Sequence, residues 1–174
     1  MIFPNTKRCG FIPRCNRFQR TTFGLDYFGA SKDAISLFVD KDIVLYGVYL
    51  FGRENTMYSV DLRVINSISK SVLASRRGKF HSKKLHCTQY NCYGFKVSFA
   101  GKIILKKNTK YEITAGISGG SSLRGEGGIS SVLCSGVTFT FMNSEYSGNG
   151  TSVCSGQFPE LLFSLYKEHF VHLS

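Results

Sequence analysis

The feature that most restricts this chain is an apolar alternation of period two that recurs along most of its length. Ile35, Leu37 and Val39 interleave with Ala34, Ser36 and Phe38, and Tyr58, Val60, Leu62 and Val64 with Ser59, Asp61 and Arg63. Phe95, Val97 and Phe99 repeat the pattern, as do Tyr111 to Ile117, Val137 to Phe141, and Leu161, Phe163 and Leu165. Successive strand side chains point to opposite faces, so a period of two puts one set in a core and the other in water. The run Ile43 to Phe51 is apolar throughout, as a strand covered on both faces should be. Turns are expected at Asp40-Lys41-Asp42, Phe51-Gly52-Arg53, Ala100-Gly101-Lys102, Gly119-Gly120 and Gly125 to Gly128. Nothing before Glu160 holds a helical period for three turns. The expected fold is all-β, an antiparallel β-sandwich of many short strands, and a doubly wound fold is excluded for want of helices between strands.

The 174 residues fit one domain. Residues 1–15, basic and containing Cys9 and Cys15, read as an arm or linker; 16–166 read as the sandwich; 167–174 read as a tail. The tail sequence YKEHFVHLS fits either a short amphipathic helix or a frayed end. Residues 66–93 hold the cluster SRRGKFHSKKLH with few strand signals and read as a long loop. The 15 Phe and 9 Tyr supply aromatic bulk in a chain with no Trp, and suit half-buried strands.

Lys and Arg number 22 against 11 Asp and Glu, a net charge of +11. That excess favours acidic partners without naming one. The N-terminus MIFPNTKRCGF lacks a signal-peptide core, and no apolar run reaches the roughly 20 residues a membrane helix needs. The expectation is a cytoplasmic chain with no membrane partner and six free thiols.

Several chemistries can be weighed. His81 and His86, like Cys87 and Cys92, enclose four residues, a spacing structural zinc sites allow, but they form one mixed cluster in a basic stretch whose Lys residues oppose a cation. No nucleophile elbow and no local cysteine-protease signature accompanies the Cys and His residues, Cys154 included. GGSSLRGEGG at 119–128 is glycine-rich, but no Gly-Lys-Ser/Thr follows it, so it reads as a loop between strands. The Asn149-Gly150-Thr151 sequon reads as a turn. No enzyme, metal site or cofactor is expected. Binding of nucleic acid or acidic lipid by the basic surface is the second reading, disfavoured because the aromatics alternate as core positions and no RNP-type motif is present.

Two stretches carry a resemblance. DAISLFVDKDIVLYGVYLFG (33–52) resembles the opening strands of the PHR domain, named for the PAM, Highwire and RPM-1 proteins and also found at the end of BTB–PHR proteins. NGTSVCSGQFPELLF (149–163) is similar to that family's closing segment, with Phe158 at the place of an Ile. YSVDLRVI, Tyr111 to Ala115 and GVTFTF fall between them in family order, and CNRFQR (15–20) resembles the junction into the PHR domain of BTB–PHR proteins. The family's Trp before the first-strand Tyr is absent here, where FGLDYFG offers Tyr27 alone, and its Gly turn is loosened at Leu123 to Gly128.

The resemblance implies a β-sandwich and a non-catalytic protein-interaction module. It implies the substrate-recruiting part of a cullin-type ubiquitin-ligase adaptor, with the PHR segment of a PAM-type RING ligase as the alternative. Cullin contact would run through a BTB domain, which these 174 residues do not contain, and the chain by itself is expected to be a monomer. Loops at one end of a sandwich are natural docking sites. The expected partner-binding rim comprises Arg124, Gly125, Gly127 and Gly128 with Tyr146, Asn149, Gly150 and Thr151, and Tyr146 as an aromatic anchor.

Overall fold

The computed structural model describes residues 13–27, 29–86 and 92–168. In chain order the strands are β1 Arg14–Asn16, β2 Arg20–Leu25, β3 Lys32–Val39, β4 Ile43–Phe51, β5 Met57–Asn66, β6 Val72–His81 and β7 Lys83–Leu85. Then follow β8 Cys92–Leu105, β9 Tyr111–Gly119, β10 Ser122–Glu126, β11 Ser131–Cys134, β12 Val137–Asn143, β13 Ser155–Gly156 and β14 Glu160–Leu165. No helix occurs among the described residues.

A five-stranded sheet in the order β1-β14-β4-β8-β7 faces a six-stranded sheet in the order β11-β12-β3-β9-β5-β6. A third sheet, β13-β10-β2, is smaller. All pairings are antiparallel. Aromatic rings cross the layer between the two large sheets. Phe139 of β12 meets Phe163 of β14 edge-on at 4.8 Å, and Tyr58 of β5 stacks on Phe95 of β8 at 5.4 Å. The alternating apolar sets named above fill the core, save that Phe99 is only partly covered and Leu165 is exposed, and β4 is central enough that Val44, Val48 and Leu50 are all buried. The expected sandwich is therefore the observed architecture.

Three local expectations need correction. Residues 66–93 are not one long loop, because β6 and β7 lie within them. β6 is the edge strand of its sheet, so its outward set (Leu73, Ser75, Arg77, Lys79) stays wet and its inward set is only partly covered. Edge strands carry charge that discourages further pairing, and that charge hides the period. Residues 122–126 are strand β10, not loop, bound between β2 and β13. Finally, β8 runs unbroken through Ala100-Gly101-Lys102. There, Phe99 to Lys102 bulge opposite the single residue Tyr46, since Leu45 pairs with Ile103 and Gly47 with Ser98.

At the ends of the chain, Arg14 and Cys15 pair with Leu162 and Leu161. Those two residues of the stretch read as an arm lie in the sheet. Lys167 and Glu168 have no regular structure, and 169–174 lie outside the described residues, as does most of the stretch 1–15.

Candidate docking surface

The polar loop between β12 and β14 is fastened from below by three buried polar side chains. Arg17, 1% exposed, follows β1 and sits under the loop. Its Nε donates to the Phe158 carbonyl at 3.0 Å, Nη2 to Gln157 O at 2.7 Å, and Nη1 to Ser152 O at 3.1 Å and Val153 O at 2.9 Å. Its guanidinium lies 4.0 Å from the centre of the Phe18 ring. Burying a cation is costly unless its donors are met, and these carbonyls and the ring face meet them.

Gln157 is the second fastener. Its Oε1 accepts from Phe51 N at 2.7 Å, and its Nε2 donates to Phe51 O at 3.1 Å, to Ser122 Oγ at 3.2 Å and to Tyr27 OH. The amide thus joins the end of β4 to β10 and to the loop after β2. Asp33 of β3 is the third. It accepts from Thr151 Oγ1 at 2.5 Å and from Asn149 Nδ2 at 3.2 Å. Burial pushes its carboxyl above the ordinary 3.8, and those two hydrogen bonds pull it part of the way back. Thr151 Oγ1 also accepts from Gln157 N at 2.9 Å, so the second and third fasteners share an atom.

The rim residues divide accordingly. Asn149 and Thr151 come together on Asp33, and Thr151 is buried. Gly150, between them, has φ +89 and opens to solvent. Arg124 of β10 donates to Ser155 Oγ at 2.7 Å and pairs with Glu126 at 3.2 Å. The Phe18 ring occupies the space a side chain at Gly125 would need. Gly127 lies against Gln19, and a Cβ on Gly128 would collide with Val153 O. β10 and the β12–β14 loop are therefore stitched together, with Gly128 N donating to Cys154 O at 2.9 Å. Tyr146 lies elsewhere. It is half-buried, with Lys70 Nζ 5.5 Å from its ring centre and Ser144 Oγ accepting from its N–H at 3.2 Å. Its neighbour Glu145 pairs with Lys70 at 3.2 Å, so this end of the loop rests on the β5–β6 turn.

One exposed aromatic escaped the sequence reading. Phe23 of β2 is 73% exposed and lines a hollow of about 310 Å³ with Arg53, Glu54 and Tyr93. In a chain with 15 Phe, one more Phe between Thr22 and Gly24 carries no mark of exposure. The metal candidates separate: His81 Nε2 lies 2.9 Å from Asn55 Oδ1, Cys92 is buried beside Phe51 and Leu85, and Cys87 lies outside the described residues. No group of three metal-ligating side chains occurs among the described residues.

The fasteners join the two ends of one unit, and similarity to known sequences has the same limits. The family model described as the PHR domain matches residues 16–164, from one residue before Arg17 to within β14. This chain belongs to the PHR domain family. BTB/POZ domain-containing protein 6 of Xenopus tropicalis is 33% identical over 165 residues, and its human counterpart 32%. Each alignment covers 92% of this chain and 30% of the relative. E3 ubiquitin-protein ligase MYCBP2 of Danio rerio is 30% identical over 160 residues, 85% of this chain and 4% of that protein. The chain thus spans under a third of the length of these relatives. In this PHR domain the segment NGTSVCSGQFPE spends Asn149, Thr151 and Gln157 on holding the loop, and CNRFQR supplies Arg17, which it closes upon. No helix among the described residues is long and apolar enough to cross a membrane.

Proposed function

We propose that this PHR domain is a non-catalytic protein-interaction module of the cytoplasm that recruits a protein substrate to a ubiquitin ligase. The observation that carries the reading is the division of labour in the β12–β14 loop. Buried Arg17, Gln157 and Asp33 fix its backbone, while Tyr146 in the loop, Arg124 on β10 and Phe23 on β2, the neighbour of β10, remain at least partly exposed. A preorganised loop loses little freedom on binding, and aromatic and Arg side chains dominate binding energy at interfaces. Relatives named as BTB/POZ proteins and as a ubiquitin ligase support the ligase setting. Cullin contact would come through a BTB domain outside these residues.

Proximity labelling in cells tests the reading, with the wild-type chain compared with Arg124→Glu/Tyr146→Ala and with Phe23→Ala. Expected is a defined protein set lost with one or both variants while each keeps its unfolding midpoint. Identical sets for all three baits would overturn the docking surface. A set dominated by nucleic acid that washes off steeply with salt would overturn the module in favour of the basic-surface reading.

A further inference from the structure

A second site lies on the outer face of the five-stranded sheet. Asn16, Glu160, Tyr49 and Lys96 are successive cross-strand partners on β1, β14, β4 and β8, and so share one face. Arg14 reaches over this row. Its Nη2 donates to Tyr49 OH at 3.2 Å, its guanidinium sits 4.8 Å from the Tyr49 ring centre, and its Nη1 pairs with Glu160 at 3.4 Å. β7 brings Lys83 and Lys84 to the same place, and His86 follows. Together Arg14, Tyr49, Lys83, Lys84, His86 and Lys96 line a hollow of about 270 Å³.

The charge in this hollow is unbalanced. Glu160 offsets one charge through Arg14, and among the described residues no carboxylate lines the hollow. The ammonium groups of Lys83, Lys84 and Lys96 make no hydrogen bond or ion pair with any described residue, whereas those of Lys70, Lys106 and Lys110 elsewhere on the surface each face an acid. Like charges gathered in a concavity repel, and the same field attracts a compact anion of high charge.

We propose that this hollow binds the phosphoryl group of a phosphorylated protein segment. A phosphorylated side chain carries a charge of about −1.5 to −2 near neutral pH and three strong acceptor oxygens, which suits several lysine donors lining one hollow. Two other polyanions fit less well. Single-stranded nucleic acid needs a bare aromatic face for stacking, and Arg14 already covers that of Tyr49. Stable attachment to a membrane surface takes an apolar anchor besides basic charge, and the one aliphatic residue in the lining, Leu85, is 8% exposed. The site stands apart from the β12–β14 loop, and its occupancy does not depend on the docking reading above.

The test is calorimetric titration of the full 174-residue chain with a phosphoserine peptide, its unphosphorylated form, and vesicles containing anionic lipid. Expected is saturable binding of the phosphorylated peptide alone, weakened about tenfold or more in Lys83→Glu/Lys96→Glu. The milder Lys83→Gln/Lys96→Gln keeps the test decisive if charge reversal unfolds the sheet. Equal binding of both peptides, binding unchanged in both variants, or no saturable binding at millimolar peptide would each overturn the proposal. Vesicle binding that the variants abolish, without peptide binding, would overturn the protein source in favour of a lipid headgroup.

Discussion

Arg17 shows how much of this fold depends on single polar residues that no hydrophobic pattern reveals. Its donors satisfy four carbonyls of the β12–β14 loop, and truncation would leave them buried with too few partners. An unmet buried acceptor costs about 1–3 kcal/mol, so Arg17→Ala should cost about 3 kcal/mol or more in urea unfolding, and a loss under about 1 kcal/mol would show the loop to be independent of it. Asp33 yields a pH prediction of definite sign. Its folded pKa is raised above 3.8 by burial, so the folded state holds the proton more tightly than the unfolded state. That contribution favours folding at acid pH and is lost as pH rises from 3.8 through the raised value. Asp61, lowered by Arg63, and Asp42, lowered by the Lys107 amide, run the opposite way, but both cancel when wild type is compared with Asp33→Asn. The wild-type stability minus that of Asp33→Asn should therefore fall with pH across that window and flatten above it. Urea midpoints from about pH 3 to pH 8 check this, and a difference that rises with pH would refute the buried-carboxyl account.

Strands were legible where burial left a clear apolar pattern, as an alternation or, in β4, as an unbroken run. β5 and β12 cover a core on one face, and β3 and β9, buried on both, keep small or polar residues (Ala34, Ser36, Glu112, Thr114) on the second, so in all four the alternation is clean in the sequence. β6 and β10 were hidden for two reasons. β6 is an exposed edge, and β10 has a Gly at position 125 because the Phe18 ring, 107 residues away in the chain, fills the space of its side chain. Long-range contacts of that kind leave no local signal. The edge strands β1 and β11 meet through another such contact, in which the Cys15 thiol donates to Cys134. That hydrogen bond, together with burial, pushes the Cys15 thiol up, and the same bond lowers Cys134. The thiolate is the reactive form. Iodoacetamide at mildly alkaline pH, followed by peptide-resolved mass spectrometry, should therefore label exposed Cys154 readily and Cys134 next, and leave Cys15 and Cys92 protected until the chain unfolds. Labelling of Cys15 as fast as Cys154 would mean that β1 detaches from β14 in the native state.

At the scale of the whole molecule, the end motifs marked the family from the sequence, but their chemistry was not legible there. Asn149, Thr151 and Gln157 look like ligand-facing polar residues in a glycine loop, and only the partners Asp33, Phe51 and Tyr27, each more than 100 residues away in the chain, show them to be fasteners. The charge, by contrast, was fully legible and has a consequence for stability. The ion pairs among the described residues join side chains 3.0 to 3.8 Å apart, most of them with an exposed cation, and such solvated pairs contribute about 0–1 kcal/mol each. Against them stands an excess of 11 positive charges spread over one domain, with repulsion acting across its full width. Salt screens the distant terms first, because the Debye length falls from about 30 Å at 0.01 M to about 10 Å at 0.1 M, still longer than a contact pair. Sodium chloride between these concentrations should therefore relieve more repulsion than it weakens attraction, and raise unfolding stability by about 1 kcal/mol. Urea midpoints at the two salt levels decide it. A midpoint that falls on adding salt would mean that local ion pairs, rather than net repulsion, set the electrostatics of this domain.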